Sequence, residues 1–137
     1  MTKKMLVDLG RCIGCWTCAM ACKMCHDLPD DEFRITVRTH GSGAGIDRPQ
    51  GVYPNLHMTW QPVYAPTCTW CAERQAVGDG PMCVADCPTK ALAYGDDADP
   101  DSEFSRELAR VTENYYHVFE LPAFEGGRKN VVYATRR

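Results

Sequence analysis

The sequence lacks several features that would direct attention to particular classes of protein. It has no apolar run long enough for a helix to span a bilayer. It has no excess of positive charge, because 15 Lys and Arg face 18 Asp and Glu, so nothing indicates a nucleic-acid partner. The N-terminal stretch MTKKMLVDLG has neither a long apolar core nor a small-residue cleavage site, and we expect no signal peptide. If the protein leaves the cytoplasm, we expect a partner to carry it.

What the sequence has in abundance is cysteine, with nine in 137 residues. An even set of cysteines in a secreted chain would indicate disulfides, but here the number is odd and no secretion signal is evident. The cysteines also lie in two bunches, within Cys12–Cys25 and Cys68–Cys87. Residues this close along a chain converge more easily on a metal than on several separate bridges. We therefore favour metal binding over disulfide bonds.

The spacing within the bunches matches a known kind of metal-binding run. The first bunch contains C-x2-C-x2-C-x3-C, and the second reads C-x2-C-x11-C-x3-C-P. The first spacing is used by two-cluster ferredoxins, in which three closely spaced thiolates hold one cluster and the fourth completes the other. Applied to both bunches, this crossed rule predicts two [4Fe–4S] clusters. Cluster 1 is assigned to Cys12, Cys15, Cys18 and Cys87, and cluster 2 to Cys68, Cys71, Cys83 and Cys22.

Other interpretations stay open at this point. Eight cysteines could instead form two structural zinc sites, but zinc ribbons pair two C-x2-C units and rarely use three cysteines at three-residue steps. Cys25 is left over; we interpret it as a bystander, the alternatives being a redox-active thiol or a substitute ligand. The histidines show no mutual metal-site spacing, and we interpret them as ordinary surface or loop residues. Trp16 and Trp70 lie inside C-x2-C steps and could either shield a cluster or fill the core.

The remaining sequence predicts a mixed α and β fold. Trp16–Met24 has a helical apolar spacing, and Asp99–Asn114 is typical of an amphipathic helix capped by Asp99. Alternating or short apolar stretches predict strands at 5–8, 33–39, 57–64, 91–94, 115–121 and 130–135, with a turn at Gly126–Gly127 between the last two. We expect one α+β domain over 1–137, with a bacterial dicluster ferredoxin-like core. We further expect an inter-motif insertion loop at 40–66 and a C-terminal helix–strand extension at 96–137. The extension is expected to contact a partner. Gly14, between two ligands, would let the first loop aim backbone N–H groups at sulfur.

The cysteine motifs and their flanks resemble a known family. The stretch VDLGRCIGC, followed by CAMACK, is similar to the first cysteine motif of the iron–sulfur electron-transfer subunits of the dimethyl-sulfoxide-reductase family of molybdopterin oxidoreductases. CTWC and CVADCPTKAL resemble that family's last motif, and NVVY resembles its terminal strand. The family's two middle cysteine motifs are missing here, so the resemblance implies a shortened form with two clusters. Cys25 stands where we expect an acidic residue in the family.

The resemblance implies an electron-transfer subunit, which is not an enzyme by itself. It would relay electrons to or from a large molybdopterin-containing catalytic subunit, with molybdenum or tungsten, and a membrane anchor or another electron donor would be a further partner. It implies a cytoplasmic location, or export together with a signal-bearing catalytic subunit. The alternatives are a free two-cluster ferredoxin that serves several partners, and a protein whose clusters only stabilise the fold.

Overall fold

The computed structural model describes residues 3–39, 49, 51–56, 58–114, 116–120 and 129–135. Within these residues the chain forms strands and helices in mixed order, which confirms the α+β class. The elements are β1 (Lys3–Asp8), α1 (Thr17–Cys25), β2 (Ile35–Thr39), β3 (Trp60–Tyr64), α2 (Ala72–Ala76), α3 (Met82–Asp86), β4 (Leu92–Asp96), α4 (Glu103–Glu113), β5 (His117–Phe119) and β6 (Val131–Thr135). None of these helices is long and apolar enough to cross a bilayer.

The larger sheet places the first strand between two distant segments of the chain. Its order is β4-β1-β6-β5, with β1 antiparallel to β4 and parallel to β6, and with β5 antiparallel to β6. Met5, Leu6 and Val7 of β1 are all almost fully buried, so both faces of the strand are covered. Met5 and Val7 pack in a core that contains cysteines, whereas Leu6 packs in the core beneath α4. Because alternate side chains of a strand point to opposite faces, β1 separates the two cores.

A second, two-stranded sheet lies against the cysteine-containing core. β2 and β3 pair antiparallel, with Val37 opposite Pro62. Pro62 is tolerated there because both strands of a two-stranded sheet are edges. Ile35 and Tyr64 point into the same core as the cysteines and are buried. β3 lies near the end of the predicted insertion at 40–66. Most of the residues at the start of this insertion lie outside the described residues, so the boundaries of the insertion stay a prediction.

α4 begins at Glu103, later than the sequence predicted. Oγ of Ser102 accepts a hydrogen bond from the N–H of Ser105 at 3.2 Å and so provides the N-cap. The carboxylate of Asp99 instead accepts from the N–H of Asp101 in the preceding turn. The predicted helix is therefore present, but the prediction that Asp99 caps it is wrong.

α4 is fastened to the sheet by apolar contacts and by one short ion pair. Phe104 and Val111 are buried in the core beneath the helix. Arg110 donates to Oδ2 of Asp8 at 2.7 Å, at the end of β1, and the Asp8 side chain is only 4% exposed. The described part of the extension at 96–137 therefore packs on the chain's own sheet, and its contact with a partner stays a prediction.

Two short helices were not predicted from the sequence. α2 and α3 have five residues each, which are too few to show a helical period. The predicted strands are all present, although β5 covers only the middle of the range 115–121. The turn predicted at Gly126–Gly127 lies outside the described residues.

Candidate metal centre

The four cysteines assigned to cluster 1 line one cavity at the start of α1. Cys12, Cys15 and Cys18 come from the loop after β1 and the first turn of α1, whereas Cys87 follows α3. Apolar side chains from β2, β3 and β4 complete the lining. Two segments that are far apart in the sequence thus present their thiols to the same space.

Hydrogen bonds at the end of β1 shape the first loop. The carbonyl oxygen of Asp8 accepts from the N–H groups of Arg11 and Cys12 at 3.0 and 3.2 Å. The carboxylate of Asp8 accepts from the N–H of Gly10 at 2.9 Å and also from Arg110. The loop is therefore anchored through a buried carboxylate that α4 holds in place.

Two residues of this loop have positive φ. Gly14 has a φ of 70° and Trp16 a φ of 63°. A Cβ added at Gly14 would lie 2.6 Å from the ring of Trp60, so both the backbone conformation and the space require glycine. The ring of Trp16 is partly exposed, lines the cavity and meets the ring of Phe33 edge-on.

The thiols of this first group oppose each other's ionisation. Burial, reinforced by the nearby thiolates of Cys12, Cys87 and Cys15, raises the pKa of Cys18 to about 12. Cys15 is exposed, and hydrogen bonds from the hydroxyl and the N–H of Thr17 lower its pKa. A bound cation would offset the repulsion among these thiolates. The group therefore fits a metal centre better than four free thiols.

The four cysteines assigned to cluster 2 gather around the second half of α1. Burial, with the thiolates of Cys68 and Cys71, raises the pKa of Cys22 to about 11. Burial is also the largest cause of the raised pKa of Cys83, to which the thiolates of Cys71 and Cys68 contribute. Cys22 lies in α1 and Cys83 in α3, and the two helices pack against each other.

The two groups share one buried core. Cys18 and Cys87 from the first group and Cys22 and Cys83 from the second belong to the same core cluster. A thiolate at Cys18 raises the pKa of Cys83, which shows that the groups are close together. Ligation of iron by these residues stays a prediction.

Backbone N–H groups also point at sulfurs of the last motif, whereas the sequence predicted such contacts for the first loop, around Gly14. The N–H groups of Trp70, Met82 and Ala91 donate to Sγ of Cys68, Cys71 and Cys87 at 3.5, 3.5 and 3.3 Å. The consecutive residues Trp70 and Cys71 have φ values of 57° and 54°, a left-handed conformation that is uncommon outside glycine.

Two of the side-chain contacts to sulfur join distant parts of the chain and were not predicted. The hydroxyl group of Tyr64 donates to Sγ of Cys83 at 3.5 Å. Nε2 of His26 lies 3.3 Å from Sγ of Cys71. His26 comes four residues after Cys22, on the same side of α1, and this spacing could have placed it near the cysteines. The sequence offers no comparable signal for Tyr64.

Comparisons with known proteins bear on this cysteine arrangement. No family model matches the chain. A Halobacterium salinarum protein, provisionally named as an iron–sulfur subunit of dimethyl sulfoxide reductase, is 32% identical over 74% of this chain and 37% of its own length. A polysulfide reductase chain of Wolinella succinogenes is 27% identical over 80% of this chain and 85% of its own length. An iron–sulfur subunit of the Hdr-like menaquinol oxidoreductase of Archaeoglobus fulgidus is 32% identical over 93% of this chain and 45% of its own length. This chain is a relative of iron–sulfur electron-transfer subunits.

The relationship to electron-transfer subunits confirms the resemblance seen in the sequence. The Halobacterium and Archaeoglobus relatives are named as iron–sulfur subunits, and a thiosulfate reductase protein of Salmonella typhi, 27% identical over 66% of this chain and 74% of its own length, is named as an electron-transfer subunit. These names agree with the expectation that the chain is not an enzyme by itself. The chain spans less than half the length of the Halobacterium and Archaeoglobus relatives, and most of the length of the Wolinella one.

The remaining predictions concern tryptophan and histidine residues. Trp70 is buried between two tyrosine rings and fills the core, whereas Trp16 lines the first cavity. His117 is exposed and stacks on a neighbouring phenylalanine. His40 and His57 lie outside the described residues.

Proposed function

We propose that this chain is the electron-transfer subunit of a molybdopterin oxidoreductase and that it holds two [4Fe–4S] clusters. The cavity lined by Cys12, Cys15, Cys18 and Cys87 carries the proposal. Three of these residues belong to the first motif and one to the last, and a crossed pair of clusters requires such sharing. Clusters of this type would supply one-electron redox chemistry when bound.

The second cysteine group supports the same function. Cys22 of the first motif lies near Cys68 and Cys71 of the last, which is the reciprocal half of the crossed arrangement. The protein's own part is to hold the thiolates, to exclude water with the surrounding core and to direct N–H groups at sulfur. Such hydrogen bonds stabilise the more negative, reduced state and therefore raise the reduction potential.

We also propose that the core is a bacterial dicluster ferredoxin-like fold. Its support is an internal symmetry in the strand pairing. The first motif and α1 lie between β1 and β2, and the last motif and α3 lie between β3 and β4. The outer strands β1 and β4 pair with each other, and so do the inner strands β2 and β3. Each half therefore has the same strand–motif–helix–strand order.

The partner we propose is a large catalytic chain with a molybdenum or tungsten molybdopterin cofactor, with a membrane anchor or another electron donor as a further partner. The support lies in the relatives, which are named as subunits of a dimethyl sulfoxide reductase, a thiosulfate reductase and a menaquinol oxidoreductase. The location of the chain would then be that of its complex, in the cytoplasm or exported with the catalytic subunit.

Two measurements test these proposals separately. Anaerobically purified protein should contain about eight irons and eight sulfides per chain. Stoichiometric zinc without sulfide would reject the clusters. Affinity purification from the native host should recover a large molybdopterin-containing chain. A protein that instead runs alone and passes electrons to several unrelated enzymes would be a free ferredoxin, and clusters without redox activity would leave only a structural role.

A further inference from the structure

At the C-terminal end of α1, the spare thiol of Cys25 and the imidazole of His26 lie close to Cys71, a predicted cluster ligand from the last motif. Sγ of Cys25, a ring nitrogen of His26 and Sγ of Cys71 all lie within 4.8 Å of one another. Nε2 of His26 is 3.3 Å from Sγ of Cys71. The eight-cysteine assignment uses Cys71 but neither of the other two residues.

His26 is the buried member of the three residues, with a side chain that is only 10% exposed. Its Nδ1 lies 3.9 Å from Oε2 of Glu73, whose side chain is 78% exposed, a distance too long for a hydrogen bond. The contact that fixes the ring in this set is therefore the one from Nε2 to Sγ of Cys71. Cys25 is exposed at the end of α1, so its thiol meets Cys71 from the solvent side.

Thiolate and imidazole are the ligands that iron and other soft or borderline metals prefer, and histidine replaces cysteine in some iron–sulfur centres. Cys71 itself lies on strained backbone, because Cys71 and the preceding Trp70 both have positive φ. Cys25 also acts electrostatically on Cys22, but within the described residues the imidazole of His26 joins Cys25 to Cys71.

We propose that Cys25 is a reserve ligand for the iron position that Cys71 holds, with His26 keeping the two sulfurs together. In an exchange, the bond from iron to Sγ of Cys71 breaks and one to Sγ of Cys25 forms. The proton of the Cys25 thiol passes to the released Cys71 thiolate, so no oxidant or reductant is needed. This inference rests on the proposed cluster ligation.

Three cysteine variants test the exchange by iron and sulfide content and by electron paramagnetic resonance of the reduced protein. Cys71→Ala should keep the full iron of the wild type, with one altered signal. The double variant Cys71→Ala/Cys25→Ala should lose about half of the iron. Cys83→Ala is the matched control, since Cys83 belongs to the same group but not to the set that Cys25, His26 and Cys71 form, and it should lose the same half. Equal loss in Cys71→Ala and Cys83→Ala, or full iron in the double variant, would overturn the proposal.

A second measurement does not depend on the folding of a ligand variant. Cys25→Ala should have the full iron at rest but lose half of it about tenfold faster than the wild type when challenged with a chelator. Equal rates would refute the reserve role. If the wild-type protein contained no iron and sulfide, the proposed function itself would be wrong. If the wild type were fully loaded and Cys25→Ala lost iron at the same rate, only this inference would be wrong.

Discussion

The hydroxyl group of Tyr64 donates a hydrogen bond to Sγ of Cys83 at 3.5 Å, inside the core that the two cysteine groups share. Burial, together with the nearby thiolate of Cys83, raises the pKa of Tyr64 well above its usual value. The hydroxyl therefore keeps its proton and remains a donor over the whole physiological pH range. A neutral, permanent donor to a ligand sulfur is a means of adjusting a reduction potential.

We predict that Tyr64→Phe lowers the midpoint potential of one cluster and leaves the other unchanged. A hydrogen bond of ordinary net strength corresponds to roughly 20–60 mV for a one-electron couple. Redox titration followed by electron paramagnetic resonance measures this shift. Tyr133→Phe is the matched control, because the Tyr133 hydroxyl is also buried but donates to the carbonyl oxygen of Pro62 at 2.6 Å. Equal shifts in both variants would contradict the role of the Tyr64–Cys83 contact.

The crossed ligation predicts which signal each ligand variant damages. Cys22→Ala should perturb the cluster assigned to Cys68, Cys71 and Cys83, although Cys22 belongs to the first motif. Cys87→Ala should perturb the other cluster. Spectra of the two reduced variants are compared with that of the wild type. If Cys22→Ala altered only the signal that Cys12→Ala abolishes, the crossed assignment would be wrong.

Gly14→Ala should destabilise the fold strongly, because its Cβ would overlap the Trp60 ring at a backbone φ of 70°. We expect a loss of about 2–5 kcal/mol in the free energy of unfolding, from strain and overpacking together. Gly78→Ala is the control, since Gly78 has a φ of 89° but open space around it. It should cost only the conformational strain, about 1–2 kcal/mol. Anaerobic chemical denaturation measures both, and equal losses would show that the Trp60 contact is unimportant.

Arg110→Ala should reduce stability by about 1–3 kcal/mol, because it leaves the buried carboxylate of Asp8 with fewer partners. Arg11 lies 3.6 Å from the same carboxylate and would compensate in part. Arg106→Ala, on the exposed side of the same helix, should change stability by less than about 0.5 kcal/mol. A comparably small effect of Arg110→Ala in denaturant titrations would contradict the anchoring role of this ion pair.

The sequence predicted those parts of the fold whose signals are local. The strands at 5–8 and 33–39 show alternating or continuous apolar residues, and α1 and α4 show a helical period. The cap of α4 was predicted wrongly because Asp99 and Ser102 are both good capping residues, and only the packing of the turn decides between them. The position of β6 beside β1 depends on a pairing across the whole chain, which no local pattern encodes.

The same distinction holds for the candidate site. Cysteine spacing was enough to propose eight ligands and their division into two groups, because ligand geometry constrains residues that are close in sequence. The spacing from Cys22 could have placed His26 near the cysteines, but Tyr64 could not be found in this way, and the contact of each with its particular cysteine joins distant parts of the chain. Their contacts follow from how β3 and α1 pack, which depends on the complete core.

The pairing of Met5 with Val131 has a consequence for how the protein is made. The last cysteine, Cys87, is synthesised before β6, so β1 gains this neighbour only after all the cysteines are in the chain. Contacts this distant in sequence also form slowly. We expect nascent chains that are arrested before residue 131 to remain sensitive to protease and to take up little iron. Cofactor insertion would then be a post-translational event.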